Sequence, residues 1–540
     1  MSRRPNPLIP GFNPDPSIVG VDGGYYLVTS TFEYLPAIPV YRSTDLVTWT
    51  LVGNVATRPE QVQVGDVPTG GGVWAPTIRH RDGVFYVIVT VAMTPRGCVV
   101  FTATDPAGPW SDGTTIEGVG GIDPDLAWDG DGTAYVTFSG LHTSGEHLGR
   151  HLGIQQVRVD LAAGKAFPSD AEQPRSLWSG TGLKFPEAPH LYRRGDHWYL
   201  MIAEGGTERG HGVSIARGPS PTGPFQGHPA NPVFSAKGTD RPIQNTGHAD
   251  LVQTPDGGWA LVMLGVRPLG MTQAFSPLGR ETFITDVEWV DGWPQPSPVH
   301  LAPRDGVEED VFDFADPSAL DDPGWLAVRT LPSSVASVAG GRLVIAGGTG
   351  LDSTGLDGPH PRFVGRRQRH LTATVSTTVD ASAGAGGLAA RYDEAHHFCI
   401  EARGAGDSTV VTARASLAGL AQQWRATLPA GDVELRMEMV PPPVEFSAEA
   451  SGADRIRLIA GDTVLAQLDG RYWTAETTAS FTGRVIGLYA AEGTVSFAGF
   501  RYRGSENASE DRDKPAYRAS DAAENRDKPA YRASDASETS

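Results

Sequence analysis

The alternation of apolar and polar positions in the first half of the chain repeats one unit five times. The copies read NPDPSIVGVDGGYYLV from Asn13, WAPTIRHRDGVFYVIV from Trp74, IDPDLAWDGDGTAYVTF from Ile122, FPEAPHLYRRGDHWYLMI from Phe185 and GHADLVQTPDGGWALVM from Gly247. Each is a short strand, a turn rich in Asp and Gly, and an apolar strand heavy in Tyr, Trp and Val, which is the pattern of a β-hairpin. Second hairpins follow in most units, at Tyr41, Val99 and Val213. Units of about 50 to 65 residues with four strand-like runs predict a five-bladed β-propeller over residues 1–302, whose innermost strands surround a central axis. A single sandwich also supplies strands and turns, but it leaves unexplained what recurs at the head of each unit.

Counting back about eight residues from each turn lands on Asp15, Trp74, Asp123, Glu187 and His248, with Asp15 one step closer than the rest. Three carboxylates, an indole and an imidazole are therefore expected at one structural position, converging on the axis. Three acids beside an apolar wall at Trp74 suit glycoside hydrolysis, in which one carboxylic acid protonates the leaving oxygen and a carboxylate either attacks or activates water. A third negative charge nearby raises the pKa of the acid and keeps its proton available. Asp15 stands between two prolines, a stiff setting that suits a base holding water in place. Glu187 has the longer side chain and the reach of a general acid, leaving Asp123 to tune it. A strand-start or turn role explains any one of these residues alone, since Asp before Pro is common in loops, but not three acids in one register.

The pattern changes near Leu301, where acidic residues and prolines interrupt the strands. Beyond it RLVIAG from Arg342, LTATVSTTV from Leu371, VELRMEMV from Val433 and RVIGLYAAEGTVSFAGFRY from Arg484 alternate as the strands of a β-sandwich over residues 303–503. A packing partner for the propeller is the simpler role for it, and an independent carbohydrate-binding module the other. Residues 504–540 carry RDKPAYRASDA twice, at Arg512 and Arg526, with almost no aliphatic residues, and read as a disordered tail.

The 540-residue length suits two domains, and 66 Gly with 42 Pro suit an all-β chain full of turns. A formal charge of −19 argues against nucleic acid or an anionic membrane as partner. Two cysteines, Cys98 and Cys399, give no disulfide framework and fit a reducing compartment. The opening MSRRPNPLIPG lacks the apolar core of a signal peptide, so a cytoplasmic protein is expected.

The motifs IPGFNPDPS from Ile9, STFEY from Ser30, GGVWAP from Gly71, GIDPDL from Gly121, EAPHLY from Glu187, AEGGT from Ala203, GHADLVQT from Gly247 and PLGRE from Pro277 follow one another in this order. In them the chain resembles glycoside hydrolase family 43, and within it the two-domain β-xylosidase and α-L-arabinofuranosidase branch, whose second domain is a concanavalin-like jelly roll. The resemblance covers about residues 5–503. It implies an inverting mechanism with Asp15 as general base, Glu187 as general acid and Asp123 as pKa modulator. It further implies that Arg280 contacts substrate, that Phe32 and Trp74 line the sugar pocket, and that His248 contacts either the carboxylates or a hydrated calcium ion near the axis. No cofactor is expected to be required.

The expected activity is exo-acting release of xylose from the non-reducing end of short β-1,4-xylo-oligosaccharides, with α-L-arabinofuranosidase or dual activity as the alternative. The expected partner is a small oligosaccharide, with a homo-oligomer possible. Two rival classes fit less well. A sialidase needs an arginine cluster and a catalytic tyrosine, neither of which falls on the inner-strand register. A non-catalytic sugar-binding propeller has no use for three acids held together.

Overall fold

Five antiparallel sheets, each wound from consecutive strands, make up the first domain of the computed structural model, which describes residues 4–142, 146, 148–348, 355–442, 451–478 and 481–506. Blade I contains Ser17–Val21, Gly24–Val28, Ala37–Ser43 and Thr50–Ala56, and blade II contains Gly72–Arg81, Val84–Ala92, Gly97–Ala103 and Thr114–Thr115. Blade III is built from Gly121–Trp128, Ala134–Leu141, His151–Asp160 and Lys165–Ala166, with Arg175–Trp178 added against its third strand. Blade IV runs through Glu187–Arg194, His197–Glu204, Gly212–Gly218 and Gln226–Gly227. Blade V consists of Gln244–Gln253, Trp259–Val266, Glu281–Val290 and Trp293–Pro296.

Each blade is covered by a neighbour on both faces, which is why its strands are apolar almost throughout. Val28 and Val40 of blade I pack with Ile78 and Val89 of blade II. Ile88 and Val100 then meet Leu126 and Val136 of blade III, Ile154 meets Leu191 and Leu200 of blade IV, and Ile215 meets Leu251 and Leu261 of blade V. Val252 and Val262 of blade V pack on Ile18 and Leu27 of blade I, so a fifth core closes the ring. The N-terminal segment ties this closure. Leu8 N–H donates to the Thr282 carbonyl at 2.8 Å, and Asn6 bridges to Ala302.

The second domain is a β-sandwich around Trp325, Leu343, Val375, Leu388, Phe398, Met437, Leu458, Leu488 and Phe497. Its spine is the 20-residue strand Thr372–Arg391. The first part of that strand pairs with Val433–Val440 and Phe500–Ser505, and the last part with His396–Ala405 and Val485–Phe497. Bulges between Asp380 and Ala383 and between Ala385 and Gly386 break its register between the two parts. The closing strand runs to Ser505, and Glu506 pairs with Arg267 at 2.5 Å, so the domain continues past the boundary expected at residue 503. The tandem repeat of the tail lies outside the described residues.

The two domains interlock. Tyr34–Leu35, within blade I's sequence, pairs with Val328 and Ala327 of the sandwich. Phe12, Phe32 and Tyr34 share a core with Leu326, Phe363 and Tyr489. The Tyr392 hydroxyl also donates to the Pro277 carbonyl at 2.6 Å, clamping the sandwich to the loop that precedes Arg280.

Candidate active site

At or just before the head of every inner strand one structural position lies in the left-handed backbone region, at Asp15 (φ 57°), Ala75 (φ 44°), Asp123 (φ 54°), Ala188 (φ 50°) and His248 (φ 49°), and blade V adds a second such residue at Asn245 (φ 56°). Side-chain-bearing residues visit this region rarely, and five at one structural position mark a built feature. In blades II to V it coincides with a bulge in the ladder, which re-aims the side chain beside it. Pro16, Pro76, Pro124 and Pro189 follow directly, where a residue without an N–H costs no ladder hydrogen bond.

This register corrects the expectation that five site residues share one position. Asp15, Asp123 and His248 do share it. Trp74 and Glu187 sit one residue earlier, ahead of Ala75 and Ala188. Turn length is the reason. Blades I, II and IV close their first hairpin with two residues, between Val21 and Gly24, Arg81 and Val84, and Arg194 and His197. Blades III and V use five, between Trp128 and Ala134 and between Gln253 and Trp259, which displaces their Asp-Gly turn by one position.

All the same, Asp15, Phe32, Trp74, Asp123, Glu187, His248 and Arg280 line one cavity of about 330 Å³. Asp15 is held on three sides. Ser30 Oγ donates to its Oδ2 at 2.6 Å, Arg280 Nη1 donates to its Oδ1 at 3.1 Å, and His248 Nδ1 lies 3.6 Å from Oδ1. Burial pushes the Asp15 carboxyl up, but Arg280, His248, the Ser30 hydrogen bond and His211 together hold the group below its ordinary value. His248 is pushed down to about 3 by burial, so near neutral pH it meets Asp15 as a neutral ring.

The other two acids go the opposite way. Burial and the nearby Asp15 charge raise Asp123 to about 7, although Ala188 N–H donates to its Oδ2 at 3.1 Å. Burial, reinforced by Asp123 and Asp15, raises Glu187 well above the carboxylate range. One cavity thus holds an ionised and a protonated carboxyl at the same pH, the pairing that acid–base catalysis requires.

The aromatic wall is fixed by backbone contacts. Phe32 and Val73 exchange two hydrogen bonds of 3.0 Å, and Trp74 Nε1 donates to the Gly70 carbonyl at 2.7 Å. Gly72 (φ 93°) makes the approach possible, because a Cβ there would lie 2.4 Å from the Phe32 carbonyl oxygen. The sandwich completes the wall. Phe481 stacks on Phe32 at 5.8 Å, meets Trp74 edge-on at 6.2 Å, and its carbonyl accepts from Arg280 Nη2 at 3.4 Å. Arg280 also donates to Thr207 Oγ1 at 3.1 Å.

Two positions farther along the same inner strands come Ser17, Thr77, Asp125, His190 and Asp250, and four of these gather on Arg79. Its guanidinium donates to Asp125 at 2.6 Å, Asp250 at 3.0 Å, Ser17 at 3.3 Å and His190 Nδ1 at 2.9 Å. Tyr192 hydroxyl donates to Asp250 at 2.5 Å and Leu191 N–H to Asp125 at 2.9 Å. Arg79, itself from blade II, therefore bolts the other four blades together beneath the cavity. This bears on calcium, which takes six to eight oxygen ligands. Asp125 and Asp250 are already engaged by Arg79, and among the described residues no group of three His, Cys, Asp or Glu is placed to hold a metal, so these two acids are not free to ligate the ion.

Phe481, Arg79 and the lining residues His151, Phe185 and Glu208 were not foreseen as site residues. Phe481 sits in a sandwich loop with no local signal of its role. Arg79 reads as one polar position of an alternating strand. Thr207 falls within the AEGGT motif, but nothing in that motif alone marks it as a partner of Arg280.

The family model for glycosyl hydrolases family 43 matches residues 4–294, and the beta xylosidase C-terminal concanavalin A-like domain matches residues 312–503. A non-reducing end alpha-L-arabinofuranosidase of Bacteroides ovatus is 36% identical over 514 residues, covering 90% of this chain and 91% of that protein. A beta-xylosidase of Bacillus subtilis is 36% identical over 313 residues, covering 54% of this chain and 56% of that protein. The crystal structure of a xylan beta-1,4-xylosidase from Bacillus halodurans superposes with a TM-score of 0.80 at 27% identity, covering 93% of this chain and 100% of that one. With both domain models matched in order and a relative aligned across nine-tenths of its length, the chain belongs to glycoside hydrolase family 43.

Proposed function

We propose that the protein is an exo-acting, inverting glycosidase that releases xylose from the non-reducing end of short β-1,4-xylo-oligosaccharides. The observation that carries this reading is the opposed protonation of Asp15 and Glu187 in a cavity near the lower limit for ligand sites, a size that suits a single pentose ring with its leaving group toward solvent. Glu187 gives its proton to the glycosidic oxygen as the bond to the anomeric carbon breaks. Asp15 takes a proton from the water that attacks that carbon from the opposite face, so the product anomer is inverted. Exchange with solvent then returns both carboxyls to their starting states. Arg280 and Ser30 help to keep Asp15 ionised, and burial, reinforced by Asp123 and Asp15, keeps the proton on Glu187. Phe32, Trp74 and Phe481 supply the apolar faces against which the ring packs. No step is routed through a metal.

A second reading, α-L-arabinofuranosidase or dual activity, is favoured by the Bacteroides ovatus relative, which aligns across both domains. The deciding experiment measures kcat/KM side by side on the p-nitrophenyl glycosides of β-D-xylopyranose and α-L-arabinofuranose, with the product anomer followed by proton NMR. Preference for the xyloside with an α-anomer product supports the first reading. Preference for the arabinofuranoside selects the second, and a retained anomer refutes the roles given to Asp15 and Glu187. The two unpaired, buried cysteines fit residence in a reducing cytoplasm, which cell fractionation checks.

A further inference from the structure

A second cavity, of about 860 Å³, lies where the N-terminal segment, blade I, the interdomain connection and the sandwich meet, and it shares no lining residue with the catalytic cavity. Its wall carries Tyr41 and Trp49 from the propeller and Arg304, Arg366, Arg367 and Arg369 from the chain beyond it. Two of these arginines are neutralised locally, Arg366 by Asp322 at 2.6 Å and Arg369 by Asp310 at 2.8 Å.

Arg367 differs. It is 8% exposed, its Nε donates to the Phe12 carbonyl at 2.8 Å, and its guanidinium lies over the Phe12 ring at 4.5 Å. Its Nη2 is shut off from solvent with no acceptor, whereas Nη1 is not so enclosed, has no hydrogen-bond partner among the described residues and is the nitrogen a ligand in the cavity reaches; no carboxylate of the described residues lies within ion-pair distance of the guanidinium. Arg304 likewise spends its terminal nitrogens on the carbonyls of Pro7 and Leu8. A buried, unpaired guanidinium is costly unless an anion completes it. Asp305 and Glu308 line the same cavity, which discourages a polyanion more than a single negative charge.

We propose that this cavity binds a small organic monoanion, a carboxylate carried on a sugar-like ring, with the carboxylate on Arg367 and the ring against Tyr41 and Trp49. Such a ligand touches both domains at once, so its binding stabilises their docking by mass action. It is a site separate from the catalytic one and independent of which glycoside is cleaved.

The test is calorimetric titration and thermal melting of the full chain with D-glucuronate, with D-glucose as the neutral ring and sulfate as an anion without a ring. The expected result is saturable binding and a rise in Tm with glucuronate alone. Arg367→Gln weakens that binding at least 10-fold, and Trp49→Ala, which leaves the cation in place, weakens it as well. Absence of saturable binding, a response to sulfate equal to that to glucuronate, or binding unchanged in a folded variant overturns the proposal. So does purely competitive inhibition of hydrolysis with an inhibition constant equal to Kd, which places the ligand in the catalytic cavity.

Discussion

Replacing Arg79 by methionine keeps most of the side-chain volume and removes the one cation that Asp125 and Asp250 share. Both acids are fully buried, and Arg79 holds each of them ionised against its burial. Asp250 keeps Ser17 at 2.6 Å, Ile18 N–H at 3.1 Å and Tyr192, whereas Asp125 keeps Leu191 N–H and a long contact of 3.4 Å to His190. The loss therefore falls mainly on Asp125. Removing one partner of a buried pair costs about 3–5 kcal/mol. At roughly 2 °C per kcal/mol for a domain of this size, Tm falls by about 6–10 °C. The pH dependence identifies the cause. In the parent, the folded-state pKa of each acid is depressed, so its stabilisation is present above the ordinary carboxylate pKa and is lost as pH falls through the folded value. In the variant the carboxylates pay for burial instead, and protonation relieves them. The gap between the two melting curves should thus be widest at pH 7–8 and narrow toward pH 4, in scans run at one fixed rate. A gap under about 2 °C, or one that does not change with pH, refutes the view that Arg79 acts as the counter-ion joining the blades.

Two further predictions concern the catalytic cavity. Asp123→Asn removes a negative charge that helps to raise Glu187, so the basic limb of the kcat/KM profile should move to lower pH. An unmoved limb, or one moved upward, means that Asp123 does not tune the acid. Phe481→Ala removes the face contributed by the sandwich while leaving all three acids in place, so KM should rise about 10-fold with kcat nearly unchanged, the signature of lost uniform binding. A fall in kcat at constant KM would instead show that Phe481 acts through Arg280.

The propeller was legible because its cause is local. A buried blade needs apolar strands, a hairpin needs Asp and Gly at its turn, and both recur in the chain at a fixed period. The acids were legible for the same reason, since Asp15, Asp123 and Glu187 stand close to the start of that period. What escaped was everything that depends on distance between blades or between domains. Arg79 is two residues past Thr77 in an ordinary alternating strand, and only ring closure brings Asp125 and Asp250 to it. Phe481 reaches Phe32 only because the sandwich docks through Tyr34–Leu35 and Tyr392.

The offset between the acids has a consequence for the length of each side chain. Asp15 and Asp123 project from the left-handed residue itself, while Glu187 projects from the residue before Ala188. An acid at that earlier position starts from a different backbone direction, and on the proposed assignment of Glu187 as general acid the additional methylene of glutamate is what restores its reach to the glycosidic oxygen. Glu187→Asp keeps a titratable carboxyl in the same buried, acid-rich surroundings, so its proton stays available and only the reach is lost. A misplacement of about 1 Å costs on the order of 10²-fold in rate. Turnover of an unactivated disaccharide should therefore fall by at least that factor. A glycoside whose leaving group needs no protonation should lose far less. If the variant cleaves the disaccharide within about 3-fold of the parent, a far smaller loss than such a misplacement allows, reach is not why glutamate stands at 187. The general acid would then have to be sought in Asp123, which shares Asp15 and Arg280 with Glu187 as neighbours and has a pKa raised to about 7.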